Sequence, residues 1–207
     1  MIRAPTIFVV DDDARMRDSL RWLLQSVSLT VETYGSGAEF LETCDPCRPG
    51  CLVLDLRMPG ISGLQMQDRL TARDIQLPII MITGYGNVPA AVRSMQKGAV
   101  DFIEKPFNDQ FLLDRIHSAL TLDAQRRQAA LSRREVCDRF ASLTPRERDV
   151  LKRMLAGRLN KVIASELGVS IKTVETHRAR VMKKMDAKSV AELTNRCLTS
   201  GLHQGKP

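Results

Sequence analysis

The chain has 207 residues, with 31 Lys and Arg against 24 Asp and Glu for a net charge of +7, and 43% of its residues are hydrophobic. That length allows one large domain or two small ones. No apolar run approaches the roughly 18 residues of a membrane span, and Met1 to Pro5 leads into a strand without a cleavable apolar segment, so a cytoplasmic protein is expected. The charge is uneven: residues 1–122 hold 12 basic and 15 acidic side chains, a net of −3, whereas residues 123–207 hold 19 and 9, a net of +10. An acidic half suits a metal ion, and a basic half suits nucleic acid.

In chain order, Ile7-Phe8-Val9-Val10 is a short buried-type strand that ends on Asp11, Asp12 and Asp13. A helical pattern over Ala14 to Val27 follows, then a strand at Thr30 to Tyr34 with no chemistry-bearing residue at its end. Helical residues Gly37 to Thr43 lead to Cys51-Leu52-Val53-Leu54, which ends on Asp55. Gly63 to Arg73 precedes Ile79-Ile80-Met81-Ile82, which ends on Thr83. Val88 to Lys97 precedes Val100-Asp101-Phe102-Ile103, which ends near Lys105-Pro106, and Asp109 to Leu122 closes the series. Strand then helix, five times over, predicts an α/β doubly wound parallel sheet of five strands. Cys44, Cys47 and Cys51 lie within one helix-to-strand connection. A metal or redox reading of them needs a fourth ligand, and the nearest histidine in sequence is His117, so they are read as reduced thiols.

Ligands of open parallel sheets bind at the carboxyl ends of the strands, so Asp11, Asp12, Asp55, Thr83 and Lys105 are expected to converge. Phosphoryl transfer to a carboxylate needs a nucleophile held in line, a divalent cation and donors for the equatorial oxygens. Asp55 stands alone on its strand and is the best nucleophile. Clustered Asp11 and Asp12 repel each other unless a hard cation such as Mg²⁺ (or Mn²⁺) sits between them. Thr83 and Lys105 can each donate to a phosphoryl oxygen. Thr83 turning inward vacates space for Phe102, coupling Asp55 to a surface around Val88, Val92 and Ile103. Arg57 and Tyr85, each two residues past a pocket residue, are placed to screen an acyl phosphate from water.

From Asp123 the chain is polar and helix-prone, without Gly or Pro until Pro145, which predicts a semi-rigid helical linker over 123–142. Four short helices follow over 143–200, with a tail from Gly201. Thr144-Pro145-Arg146-Glu147 and Ser189-Val190-Ala191-Glu192 read as capping boxes, Asn160 and Ser170 as caps, and Leu167-Gly168-Val169-Ser170 as the turn of a helix-turn-helix. On a wheel of about 100° per residue, Ile171, Val174, Val181, Met182 and Met185 share one face. Lys172, Thr176, Ala179, Arg180 and Lys183 fall opposite, where they can enter a major groove. Asn160, Lys161, Thr173 and Lys184 are better placed for phosphates, and Glu175 flanks the reading face as an acceptor for cytosine. Arg178 falls among the apolar positions and is read either as an ion pair, with Glu147 as partner, or as a DNA contact.

Asp55-Leu56-Arg57-Met58-Pro59-Gly60, Ile82-Thr83-Gly84 and Lys105-Pro106-Phe107 resemble the receiver domain of bacterial two-component response regulators. Gly86-Asn87-Val88-Pro89 and Asp101 to Phe107 are especially similar to the FixJ branch of the FixJ/NarL family. Leu143 to Glu147, Asn160 to Ala164 and Thr173 to Arg178 with Lys184-Met185 resemble the LuxR-type, or GerE-like, four-helix DNA-binding domain. These resemblances imply a CheY-like receiver over 1–122 and an all-α helix-turn-helix domain over 143–200. They imply that a sensor histidine kinase phosphorylates Asp55, that Asp12, Asp55 and the Arg57 carbonyl hold Mg²⁺ directly with Asp11 assisting through water, and that the Lys105-Pro106 bond is cis. They further imply a homodimer on activation, paired through the last helix on promoter DNA, with RNA polymerase as a partner in activating transcription. Two rivals stay open. A phosphohydrolase would use Asp11 of the D-x-D as nucleophile but needs a further acidic pair at a late strand end, and a ligand-gated activator needs an apolar cavity in the first half.

Overall fold

The computed structural model describes residues 4–84 and 88–202, in two compact units, Met1–Arg126 and Arg127–Pro207. The first unit is built on strands β1 (Thr6–Val10), β2 (Thr30–Tyr34), β3 (Gly50–Asp55), β4 (Ile79–Thr83) and β5 (Asp101–Glu104). They alternate with helices α1 (Ala14–Ser26), α2 (Gly37–Thr43), α3 (Gly63–Ala72), α4 (Val88–Gln96) and α5 (Asp109–Ala141). The strands form one parallel sheet in the order β2-β1-β3-β4-β5. β1, β3 and β4 are buried along their whole length, which is why they read as unbroken apolar runs.

Side chains alternate between the two faces of the sheet. Phe8, Val10, Leu52, Leu54 and Met81 pack with Phe40, Met66 and Leu70 of α2 and α3. Ile7, Val9, Val53, Ile80 and Ile82 pack with Leu20 and Leu24 of α1 and with Leu112 and Ile116 of α5. The same alternation disperses the cysteines: Cys51 is fully buried on the α1/α5 face, where burial pushes its thiol up to about 12, whereas Cys44 packs on the opposite face.

The residues expected as a linker continue α5 without interruption and divide between the two units. Asp123 is buried in the first unit, where its carboxylate accepts the Gly50 N–H at 2.9 Å. Val136 and Phe140 pack in the core of the second. That core joins α6 (Pro145–Leu155), α7 (Asn160–Leu167), α8 (Ile171–Lys184) and α9 (Val190–Thr199) through Val150, Met154, Ile163, Val174, Val181 and Leu193.

Helix caps follow the sequence signals at three of four starts. Thr144 and Glu147 form the reciprocal capping box, with Pro145 in the first turn, and Ser170 accepts the Thr173 N–H. Ser189 accepts the Glu192 N–H, but Glu192 reaches back to the Lys188 N–H instead of closing the box on Ser189. Asn160 is the correction: extended Leu159 takes the cap position without a side-chain bond, and Asn160 is the first helical residue. Between α7 and α8, Gly168 sits at φ 65°, a left-handed turn that suits glycine. No helix among the described residues is long and apolar enough to cross a membrane.

Candidate functional site

Parallel register brings the predicted strand ends side by side. Val10 pairs with Leu54, Asp55 with Ile82, and Thr83 with Glu104, so Asp11, Asp55, Thr83 and Lys105 end four adjacent strands. Asp11 and Asp55 are buried at 3% and 7% exposure. The Lys105 ammonium reaches across both of them, donating to Asp11 Oδ2 and to Asp55 Oδ1, each at 2.7 Å. Thr83 is buried at the end of β4, its carbonyl accepting the Lys105 N–H at 2.7 Å, and the Lys105-Pro106 bond is cis.

Electrostatics at this corner are tense. Burial drives the Asp55 carboxyl above its ordinary value against the pull of Lys105, and the nearby Asp11 charge adds to the rise. Burial also pulls the Lys105 ammonium down, yet its bonds to Asp11 and Asp55 outweigh that and hold it above the usual lysine value. Two buried carboxylates thus share one countercharge. The Asp11 and Asp55 oxygens are hard donors of the kind Mg²⁺ prefers, so the chemistry of these two acids suits such an ion.

Other side chains position these. Asp11 accepts the Asp13 N–H at 2.8 Å, and Arg17 donates to the Asp11 carbonyl at 2.6 Å. Sequence reading missed Arg17, since only the packing of α1 beside β1 brings it there. Asp13 caps α1 by accepting the Arg15 N–H, which gives that third acid a structural task. Asp55 Oδ2 accepts the Arg57 N–H at 2.7 Å. A Cβ on Gly63 would lie 2.6 Å from the Asp55 carbonyl oxygen, so glycine is required where α3 starts against β3.

Asp12 and Arg57 are exposed. The structure does not gather Asp12 with Asp11 and Asp55: among the described residues no three His, Cys, Asp or Glu side chains form a metal-ready group. Phe102 is half-buried on the α2/α3 face of the sheet, against the cluster that Ala90 of α4 also joins. Val88 and Val92 are exposed as expected, but Ile103 is buried on the opposite face, because adjacent strand residues point to opposite sides. Tyr85, Gly86 and Asn87 lie outside the described residues.

In the second unit, Lys172, Glu175, Thr176, Ala179, Arg180 and Lys183 are all exposed on one side of α8, and Lys161 is exposed on α7. Thr173 is half-buried, its hydroxyl sharing a hydrogen bond with Ser170, and Asn160 is half-buried. Lys184 departs from the phosphate-contact expectation. Its ammonium bonds the buried Glu147 carboxylate at 2.6 Å and the Ser142 carbonyl at 3.2 Å. Arg178 therefore has no claim on Glu147, and it lines a groove with Leu159 and Asn160 instead.

A parallel sheet whose strand ends hold two acids against one lysine, carried on the same chain as a helix-turn-helix with an exposed basic face, defines a class: a DNA-binding regulator governed by phosphorylation. Residues 7–117 match the response regulator receiver domain, and residues 141–196 match the luxR family of bacterial regulatory proteins. The chain is 42% identical over 200 residues to the transcriptional regulatory protein TdiR of Thauera aromatica, covering 97% of this chain and 88% of that one. It is 44% identical over 196 residues to FixJ of Azorhizobium caulinodans, covering 95% and 93%. The solved structure of the response regulator StyR matches with a TM-score of 0.86 at 45% identity, over 95% of this chain and 99% of that one.

The chain belongs to the NarL/FixJ family of two-component response regulators, with a receiver followed by a LuxR-type helix-turn-helix. Its class regulates transcription under phosphorylation, with a sensor kinase and DNA as partners, and is not enzymatic apart from its own phosphorylation and dephosphorylation. The phosphohydrolase rival also lacks its late acidic pair, since the residue after β5 is Lys105. The receiver fold is typical of Mg²⁺-dependent phosphorylation.

Proposed function

We propose that Asp55, in a receiver spanning residues 1–122, accepts a phosphoryl group from a sensor histidine kinase. The observation that carries this reading is the Lys105 ammonium held between the buried Asp11 and Asp55 carboxylates at 2.7 Å from each. An acid with half a countercharge gains when its charge is reorganised around a cation and a phosphoryl group. Asp12, turned in from the exposed position it holds here, would hold Mg²⁺ directly with Asp55 and the Arg57 carbonyl, and Asp11 would assist through water; the ion would offset phosphoryl charge when bound. Asp55 supplies the attacking oxygen, and Thr83 and Lys105 donate to the phosphoryl oxygens. Thr83 turning toward the phosphoryl group frees space that Phe102 enters, which alters the face carrying Val88 and Val92.

The altered receiver forms a homodimer, and two DNA-binding domains spanning 143–200 then occupy a two-fold related promoter site. Linking two half-sites multiplies affinity, so a change in dimerisation becomes a change in occupancy. Lys172, Glu175, Thr176, Arg180 and Lys183 face the bases, while Asn160, Lys161 and Thr173 lie nearer the phosphates. Lys184 is removed from that set by its bond to Glu147. The outcome is activation of transcription through contact with RNA polymerase.

The test is the intact mass of the full chain after incubation with a small acyl-phosphate donor and Mg²⁺, with association state and DNA binding followed on the same samples. Wild type is expected to gain one phosphoryl group, dimerise and bind DNA more tightly, and Asp55→Asn to do none of these. An adduct that persists in Asp55→Asn would move the chemistry to another residue.

A further inference from the structure

Arg17, the fourth residue of α1, is half-buried and bonds backbone at the acidic corner, its Nη1 donating to the Asp11 carbonyl at 2.6 Å. Its guanidinium is braced by two strand ends at once. The point a Cβ on Gly35 would occupy, just past β2, lies 3.7 Å from it, and the Tyr34 carbonyl of β2 accepts the Asp11 N–H at 3.2 Å. The Asp11 side chain is fixed as well, with Lys105 on Oδ2 and the Asp13 N–H on Oδ1 at 2.8 Å.

These bonds bear on the residue between them. The Asp11 carbonyl belongs to the planar peptide group before Asp12, and the Asp13 N–H belongs to the one after it. Arg17 holds the first group and the Asp11 carboxylate holds the second. With both planes held, exposed Asp12 keeps the torsions of its side chain as its freedom.

We propose that Arg17 is a positioning residue for the divalent cation: by holding the peptide between Asp11 and Asp12 it presets the backbone of Asp12, which then reaches the ion by rotation of its side chain alone. This rests on the reading that Asp12 is a metal ligand. A fixed cation beside a cation site also repels the ion, whereas a held backbone removes ordering that binding must otherwise supply. The two effects have opposite signs, and the second is the larger here.

The experiment uses the full, unphosphorylated chain with Mn²⁺ as the probe, the free ion being counted by its paramagnetic resonance signal. Wild type, Arg17→Met, Arg17→Gln, Arg17→Lys and Asp12→Asn are compared. Arg17→Met and Arg17→Gln lose the charge and the reach to the Asp11 carbonyl, and Arg17→Lys keeps a charged donor. The first two should bind Mn²⁺ about fivefold to tenfold more weakly than wild type, the cost of ordering the backbone of one residue, and Arg17→Lys should recover most of the difference. In metal-free protein, hydrogen exchange of the Asp13 amide should quicken about tenfold in the same two variants while the amides of β1 stay as protected as in wild type, which separates a freed loop from an unfolded receiver. Mn²⁺ bound as tightly as by wild type, or more tightly, in whichever of the two variants keeps β1 protected overturns the proposal. Asp12→Asn binding Mn²⁺ like wild type, or a wild type that binds none, overturns the reading of Asp12 as a ligand and this proposal with it.

Discussion

Asp55 in the receiver and Glu147 in the DNA-binding unit are both buried, at 7% and 3% exposure, and each accepts a hydrogen bond from a lysine, at 2.7 and 2.6 Å. Burial nevertheless drives the Asp55 carboxyl above its ordinary range, while the bond to Lys184 holds Glu147 below. Burial outweighs the bonds at Asp55, which accepts the Arg57 N–H but shares its lysine with Asp11. At Glu147 the bonds from Lys184 and from the Thr144 N–H at 2.9 Å outweigh burial. A satisfied carboxylate secures a fold, and an underpaired one is poised to be completed by something from outside. The contrast separates a structural acid from a reactive one where surface exposure alone does not.

The largest effect that tests this contrast is expected at Glu147. Glu147→Gln leaves Lys184 without its carboxylate and weakens the cap of α6, and removing one partner of a buried pair costs several kcal/mol. Lys184 is 36% exposed and partly screened by water, so a loss of about 2 kcal/mol is expected in the unfolding transition of the second unit. The pH dependence carries the sign. A carboxylate whose folded pKa is lowered adds stability that is present above the ordinary glutamate range and disappears as pH falls through the folded value. Denaturant melts across that acid range should therefore flatten in Glu147→Gln, and unchanged melts would deny Glu147 its structural role.

The two sites also differ in how far sequence reveals them. At the receiver, a polar residue closing an apolar run marks the carboxyl end of a buried parallel strand, so Asp11, Asp55 and Thr83 were legible from their position alone. The shared bond to Lys105 was not, because its reach depends on how β5 packs two strands away from β3. On α8, a helical wheel separates the exposed Lys172, Arg180 and Lys183 from the buried Val174 and Val181. A wheel gives an angle and says nothing of what another helix brings within reach of a long side chain, so it missed Lys184 meeting Glu147 across 37 residues. Asn160 failed as a cap for a related reason: the backbone of exposed Leu159 turns one residue earlier than the capping residue suggests.

That distinction among lysines yields the next effect in size. Lys172→Ala should weaken promoter binding about tenfold at moderate salt, because an exposed cation on the reading face is removed. Lys184→Ala should leave the salt dependence of binding unchanged, since its ammonium is engaged with Glu147, and should lower stability instead. Titrations at several salt concentrations check both. If Lys184 neutralised a DNA phosphate, Lys184→Ala would reduce the slope of log K against log salt by about 1, and that result would return the lysine to the DNA interface.

The smallest effect has the opposite sign and returns to Asp55. A carboxyl group whose pKa is raised by folding is favoured in its protonated form, so the folded receiver loses stability as pH climbs from the ordinary aspartate value through the raised one. At neutral pH the Asp55 charge therefore opposes folding, and Asp55→Asn should stabilise the first unit by about 0.5–1 kcal/mol while removing phosphorylation. Asp11 then keeps Lys105 to itself, at the 2.7 Å already present. Thermal melts of wild type and Asp55→Asn at pH 7, and again below the aspartate range where the advantage should vanish, would measure it. A destabilised Asp55→Asn would mean that Lys105 already satisfies both acids, and the strand ends would then hold no unmet charge for a cation and a phosphoryl group to complete.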